Sequence, residues 1–63
     1  MTSAVQIGPS KAIIIPKNET QKPIEISTKI AIKGLAIGDD KLAFWNGKTI
    51  EVWDVETGMP YIH

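Results

Sequence analysis

The 63-residue chain has no cysteine and no arginine, and its one histidine is the last residue. Each absence excludes a class of chemistry. Without cysteine there are no disulfides and no thiolate metal sites. A lone terminal His63 does not make a structural zinc site, which takes about four nitrogen or sulfur ligands. The missing thiols fit a reducing compartment, so a cytoplasmic location is expected. Arginine supplies the bidentate fork that grips phosphates and base edges. Its absence, with no basic cluster to replace it, argues against nucleic acid as a partner. No run approaches the ~20 apolar residues that span a bilayer, so no membrane span is expected. The N-terminus MTSAVQIGPS lacks a basic region followed by an apolar stretch and is not a secretory signal. Asn18-Glu19-Thr20 has the form of a glycosylation sequon; without a signal it reads as a loop coincidence.

Size and charge set further bounds. A domain this short buries only about 60% of the surface its unfolded chain exposes, so its core is marginal. The formal net charge is zero, but the halves differ. Residues 1–33 hold five lysines against two glutamates, a net +3, and residues 34–63 hold two lysines against five acids, a net −3. Two complementary solvated edges explain this, and a bipolar surface that steers a partner is the sharper reading.

Proline and glycine punctuate what remains. Gly8-Pro9-Ser10 separates the apolar fragments 4–7 and 11–15. Pro16 ends the second fragment, because proline cannot donate a ladder hydrogen bond. Residues 17–22, KNETQK, are polar and loop-like. In PIEISTKIAIKG the residues Ile24, Ile26, Ile30 and Ile32 share one parity, with Glu25, Lys29 and Lys33 on the other. Period 2 predicts a half-buried strand over 24–32, ending near Gly34 or continuing through a bulge to Ile37. A helix would set Ile24 and Ile26 about 200° apart and bury neither pair together. Gly38-Asp39-Asp40 is a turn. Asn46-Gly47 between apolar runs predicts a two-residue type I′ hairpin, which pairs Trp45 with Lys48, Phe44 with Thr49, Ala43 with Ile50 and Leu42 with Glu51. Strands are expected at 24–32, 35–37, 41–46, 48–55 and 59–62. Ile50 and Val52 share one face of the 48–55 strand; Glu51, Trp53 and Val55 share the other. Both faces are apolar, so this strand should be covered on both sides. The fold class is all-β, an antiparallel meander of short strands with no helix.

At Trp53-Asp54 the pattern becomes familiar. GLAIGDDKLAFWNGKTIEVWDVETGMPYIH, about half of the chain, resembles a degenerate WD-repeat β-propeller blade. Thr49-Ile50-Glu51-Val52-Trp53-Asp54 matches the strand that carries the family's Trp-Asp pair, and Glu56-Thr57-Gly58 matches the turn after it. The family's Gly-His dipeptide is absent, and Asn46-Gly47 replaces its usual hairpin Asp. The His–Asp–Ser–Trp network of regular blades therefore cannot form. The FWNGK hairpin is similar to those of propeller-bearing subunits in intraflagellar transport and coat-type scaffolds. A blade repeat runs to about 40–45 residues and a propeller to about four to eight blades. The resemblance thus implies about one and a half blades, with residues 1–22 a partial blade and loop and 23–63 blade-like hairpins. The whole, residues 1–63, would be one all-β module and a fragment of a larger propeller. It also implies protein subunits as partners and a location that extends to the cilium.

Catalysis finds no support in the residues. A nucleophile needs an oriented base, and the base candidates are the terminal His63 and dispersed carboxylates. Asp39 and Asp40 are adjacent turn residues and not a carboxylate pair across a cleft. Gly47-Lys48-Thr49 lacks the upstream glycine of a phosphate loop and precedes a strand. No catalytic residue, cofactor or metal is expected. Ile50, Val52 and Trp53 are expected to pack the sheet. The hairpin tip, Trp45, Asn46 and Lys48, pairs an aromatic anchor with a charge, a composition typical of interface hot spots. The expected function is a non-catalytic scaffold that binds proteins through this tip. The alternative is a free-standing, oligomeric β-module that binds a peptide or small ligand. Unpaired strand edges make self-association of the isolated chain an expectation of either.

Overall fold

The computed structural model describes residues 2–61. The strands are β1 (Ser3–Gly8), β2 (Lys11–Ile15), β3 (Ile24–Ser27), β4 (Gly34–Ile37), β5 (Lys41–Trp45), β6 (Ile50–Asp54) and β7 (Met59–Pro60). They form two antiparallel sheets, one three-stranded in the order β1-β2-β3 and one four-stranded in the order β4-β5-β6-β7. Each is a meander, and the chain passes from one to the other through residues 28–33. The described residues are therefore all-β, arranged as two consecutive small sheets of the kind that stack in a propeller. Ile62, in the expected last strand, and His63, the candidate base, lie outside the described residues.

Pleat parity decides which residues meet between the sheets. Cross-strand rows Ala4–Ile14–Ile24 and Gln6–Ala12–Ile26 form the inner face of the first sheet. Rows Leu35–Phe44–Glu51 and Ile37–Leu42–Trp53 form the inner face of the second. Ala12, Ile14, Ile26, Leu42 and Phe44 are buried in one cluster, joined by Ile32 and Val55, with Trp53 packed against it. Gly58 closes against Ile24 across the two sheets: a Cβ built at Gly58 would sit 3.1 Å from Ile24 Cγ2.

The expected strand over 24–32 is not one strand. β3 stops at Ser27, and β4 starts at Gly34. Thr28 causes the break. Its backbone N–H donates to Ser10 O at 2.8 Å, and its hydroxyl donates to Ile30 O at 2.7 Å, a local bond that competes with the ladder. The crossover then runs over the end of the sandwich. Ile32 N–H donates to Pro9 O at 2.7 Å and Lys33 N–H to Trp45 O at 2.8 Å. Ile30 and Ile32 still point into the core. The alternating pattern is thus satisfied by a loop that buries every second residue.

The hairpin register also differs from expectation. Trp45 pairs with Ile50, Phe44 with Glu51, Ala43 with Val52 and Leu42 with Trp53. The loop is four residues, 46–49. Gly47 has φ 95°, and no described non-glycine residue has positive φ, so Asn46 does not take the conformation a type I′ turn requires. Its side chain is engaged elsewhere. Asn46 Oδ1 accepts from Lys48 N–H at 3.0 Å, Thr49 N–H at 2.9 Å and the Thr49 hydroxyl at 3.1 Å. The register moves by two residues, which preserves parity. Ile50 and Val52 therefore share a face as expected, with Glu51 and Trp53 opposite.

Candidate functional site

The tip residues are built by β5 and the loop that follows it. Trp45, the last residue of β5, lies on the outer face of the second sheet and is 38% exposed. Its ring covers Gly34 on the neighbouring strand, where a Cβ would lie 2.5 Å from the indole Cζ2. Glycine is required there by the close approach of the indole. Trp45 therefore sits where the tip meets the outer face and does not project from the loop. Asn46 is half-buried, and its three accepted hydrogen bonds hold the loop in one shape. Lys48 is exposed and makes no ion pair among the described residues.

The outer faces are the second feature of the surface. On the second sheet Trp45, Ile50 and Val52 share one side with Met59 and Tyr61. Ile50 is 67% exposed and Met59 62%. The expectation that Ile50 packs the sheet is thus corrected: it faces away from the core. On the first sheet Val5, Ile13 and Ile15 occupy the outer side; Val5, and Ile7 at the β-bulge that follows Gln6, are each 49% exposed. The run Ile13-Ile14-Ile15 was the sequence signal for this, because successive apolar residues serve both faces of a strand. The role of Glu51 had no such signal. One carboxylate oxygen accepts from Trp53 Nε1–H at 2.9 Å, and the other accepts from Lys29 N–H at 3.1 Å in the crossover. Glu51 ties the indole of β6 to the segment that joins the two sheets.

Asp54 organises the opposite end of β6. Its Oδ1 accepts from Glu56 N–H at 2.8 Å and Thr57 N–H at 3.0 Å, and its Oδ2 accepts from the Tyr61 hydroxyl at 3.1 Å. Gly58 N–H donates to Asp54 O at 2.9 Å. The Thr57 N–H first, then that of Glu56 and the Tyr61 and Thr57 hydroxyls, hold the Asp54 carboxyl below its ordinary pKa, against an opposing effect of desolvation. Desolvation, followed by the bond to Asp54, pushes the Tyr61 phenol up. Lys41 Nζ stands 5.7 Å from the centre of the Tyr61 ring. At the same end an open cleft of about 670 Å³ is lined by Ile14, Lys17, Lys22, Ile24, Asp39 and Glu56, among others. Its charges are of both signs. Among the described residues no group of three or more His, Asp or Glu side chains could hold a metal ion. Among the described residues no helix is long and apolar enough to cross a membrane.

A family model described as the IFT140 second beta-propeller matches residues 1–62. No curated protein matches the chain, and no solved structure does.

Proposed function

Because the chain belongs to the family of the IFT140 second beta-propeller, we propose that it is a non-catalytic scaffold segment. It contributes two consecutive sheets to a larger β-propeller and holds protein subunits of a ciliary transport complex in the cytoplasm and cilium. The observation that carries this reading is the family match over nearly the whole chain. The sheet architecture supports it. A sheet with apolar residues on both faces has work to do only inside a stack, and both sheets have them. The docking surface is the 45–48 tip. Asn46 fixes the loop, so little ordering entropy is lost when a partner binds. Trp45 offers partly exposed aromatic area, and Lys48 a charge that makes no ion pair among the described residues. Coprecipitation of the tagged chain with the subunits of an intraflagellar-transport complex tests the reading. Lys48→Glu is expected to reduce capture at least several-fold, as reversal of a docking charge does. Undiminished capture would remove the tip from the interface.

A further inference from the structure

The Asn46-Gly47 peptide is open on one side and held on the other. Gly47 is exposed, has φ 95°, and a Cβ built on it would meet nothing within 4 Å. Among the described residues its backbone N–H donates to no acceptor. The Asn46 carboxamide is held through its oxygen: Oδ1 accepts from Lys48 N–H at 3.0 Å, Thr49 N–H at 2.9 Å and the Thr49 hydroxyl at 3.1 Å. Its Nδ2 donates to none of the described residues. We propose that Asn46 is a site of spontaneous covalent modification, a deamidation promoted by the loop itself that turns the neutral amide into a carboxylate beside Lys48.

The chemistry needs only water. The Gly47 nitrogen attacks Asn46 Cγ and forms an N–Cγ bond, which places negative charge on Oδ1. The three donors already point at that oxygen, and preorganised donors at a developing charge lower the barrier. The Cγ–Nδ2 bond then breaks. The amide nitrogen leaves as ammonia, carrying the proton that Gly47 gives up, and a cyclic imide remains. Water opens the imide. Addition at Cγ gives aspartate with the ordinary backbone; addition at the backbone carbonyl gives isoaspartate. The aspartate keeps all three acceptor bonds, now charge-assisted, so the loop persists while its charge changes. Asn18 provides the contrast. Its Oδ1 also accepts locally, from Thr20 N–H at 3.0 Å and the Thr20 hydroxyl at 2.8 Å. The residue after it is Glu19, whose side chain crowds the attacking nitrogen and whose charge opposes the developing one. At the tip the new carboxylate offsets the charge of Lys48. That consequence for docking rests on the tip as the partner surface; the deamidation itself does not.

Peptide mapping by mass spectrometry tests this. The folded protein is held in mildly alkaline buffer, sampled over weeks and cut with trypsin, which places Asn46 on the fragment 42–48 and Asn18 on another. The amide-to-acid mass change is expected to accumulate several-fold faster at Asn46 than at Asn18. It is also expected to be faster in the folded protein than in the same protein unfolded in urea, where the donors are no longer gathered around Oδ1. Thr49→Val, which removes the hydroxyl donor, should slow the conversion several-fold, and Thr49→Ser, which keeps it, should restore the rate. An Asn46 that does not convert overturns the proposal. So does a rate in the folded protein no higher than in urea, or a Thr49→Val rate equal to or above that of wild type, which would make the bonds protective. Asn46→Asp, the product in fixed form, separates this inference from the docking reading. If Asn46 deamidates as expected while Asn46→Asp captures transport subunits undiminished, the tip reading fails and the modification stands.

Discussion

The indole of Trp53 cannot enter the network of a regular WD blade, because the histidine that network requires is not there. Glu51 takes its N–H instead and spends its second oxygen on Lys29 of the crossover. A bond to a charged acceptor contributes about 1.5–3 kcal/mol where buried and less where water competes. Since both bonds are partly or fully open to solvent, Glu51→Ala is expected to cost about 1 kcal/mol in urea unfolding, with Glu51→Gln costing less. Asp54 gives a pH-dependent counterpart. Its folded pKa lies below its unfolded one. The stability it contributes is therefore fully present above the unfolded pKa, near 4, and is lost as pH falls through the lower folded value. The melting temperature should drop below about pH 4. Asp54→Asn should flatten that part of the curve, and an unchanged acid limb in the variant would assign it to another carboxylate.

At the scale of the element, the hairpin gives the clearest test. Gly47 has φ 95°, and a Cβ there would meet nothing within 4 Å, so any cost of substitution is backbone strain alone. Gly47→Val should lose more than ~1 kcal/mol by thermal unfolding, since a β-branched residue resists positive φ. Phe44→Ala, which empties a fully buried site on the neighbouring strand, should lose about 3–5 kcal/mol. The hairpin also marks how far the sequence was legible. Parity was readable from Ile50, Glu51, Val52 and Trp53, because apolar alternation has one meaning in a pleated strand. Register was not. Asn46-Gly47 suits a type I′ turn, and only the three hydrogen bonds to Asn46 Oδ1 select the longer loop. The division between sheets was hidden for a related reason. Ile24, Ile26, Ile30 and Ile32 keep one parity across a break that rests on the Thr28 hydroxyl and on Ser10, eighteen residues away. The tip residues Trp45, Asn46 and Lys48 were proposed from composition. Glu51 was not, because its partner Lys29 is brought to it only by the crossover.

At the scale of the molecule, the described residues form two packed sheets and not one continuous seven-stranded meander. The distinction matters for function, because it gives the second sheet a covered inner face and leaves the outer face of each sheet exposed among the described residues. It also places β3 and β7 on facing sheets. Gly58, just before β7, lies against Ile24 of β3, with 3.1 Å between Ile24 Cγ2 and a Cβ built on the glycine. In one continuous meander these residues would be separated by four strand spacings of about 4.8 Å, roughly 19 Å. The most direct measurement is a nuclear Overhauser spectrum of the chain with Ile24 methyl-labelled. A cross-peak between the Ile24 γ2 methyl and the Gly58 α protons is the expected result. Its absence, together with cross-peaks that place β3 beside β4 in a single sheet, would contradict the account.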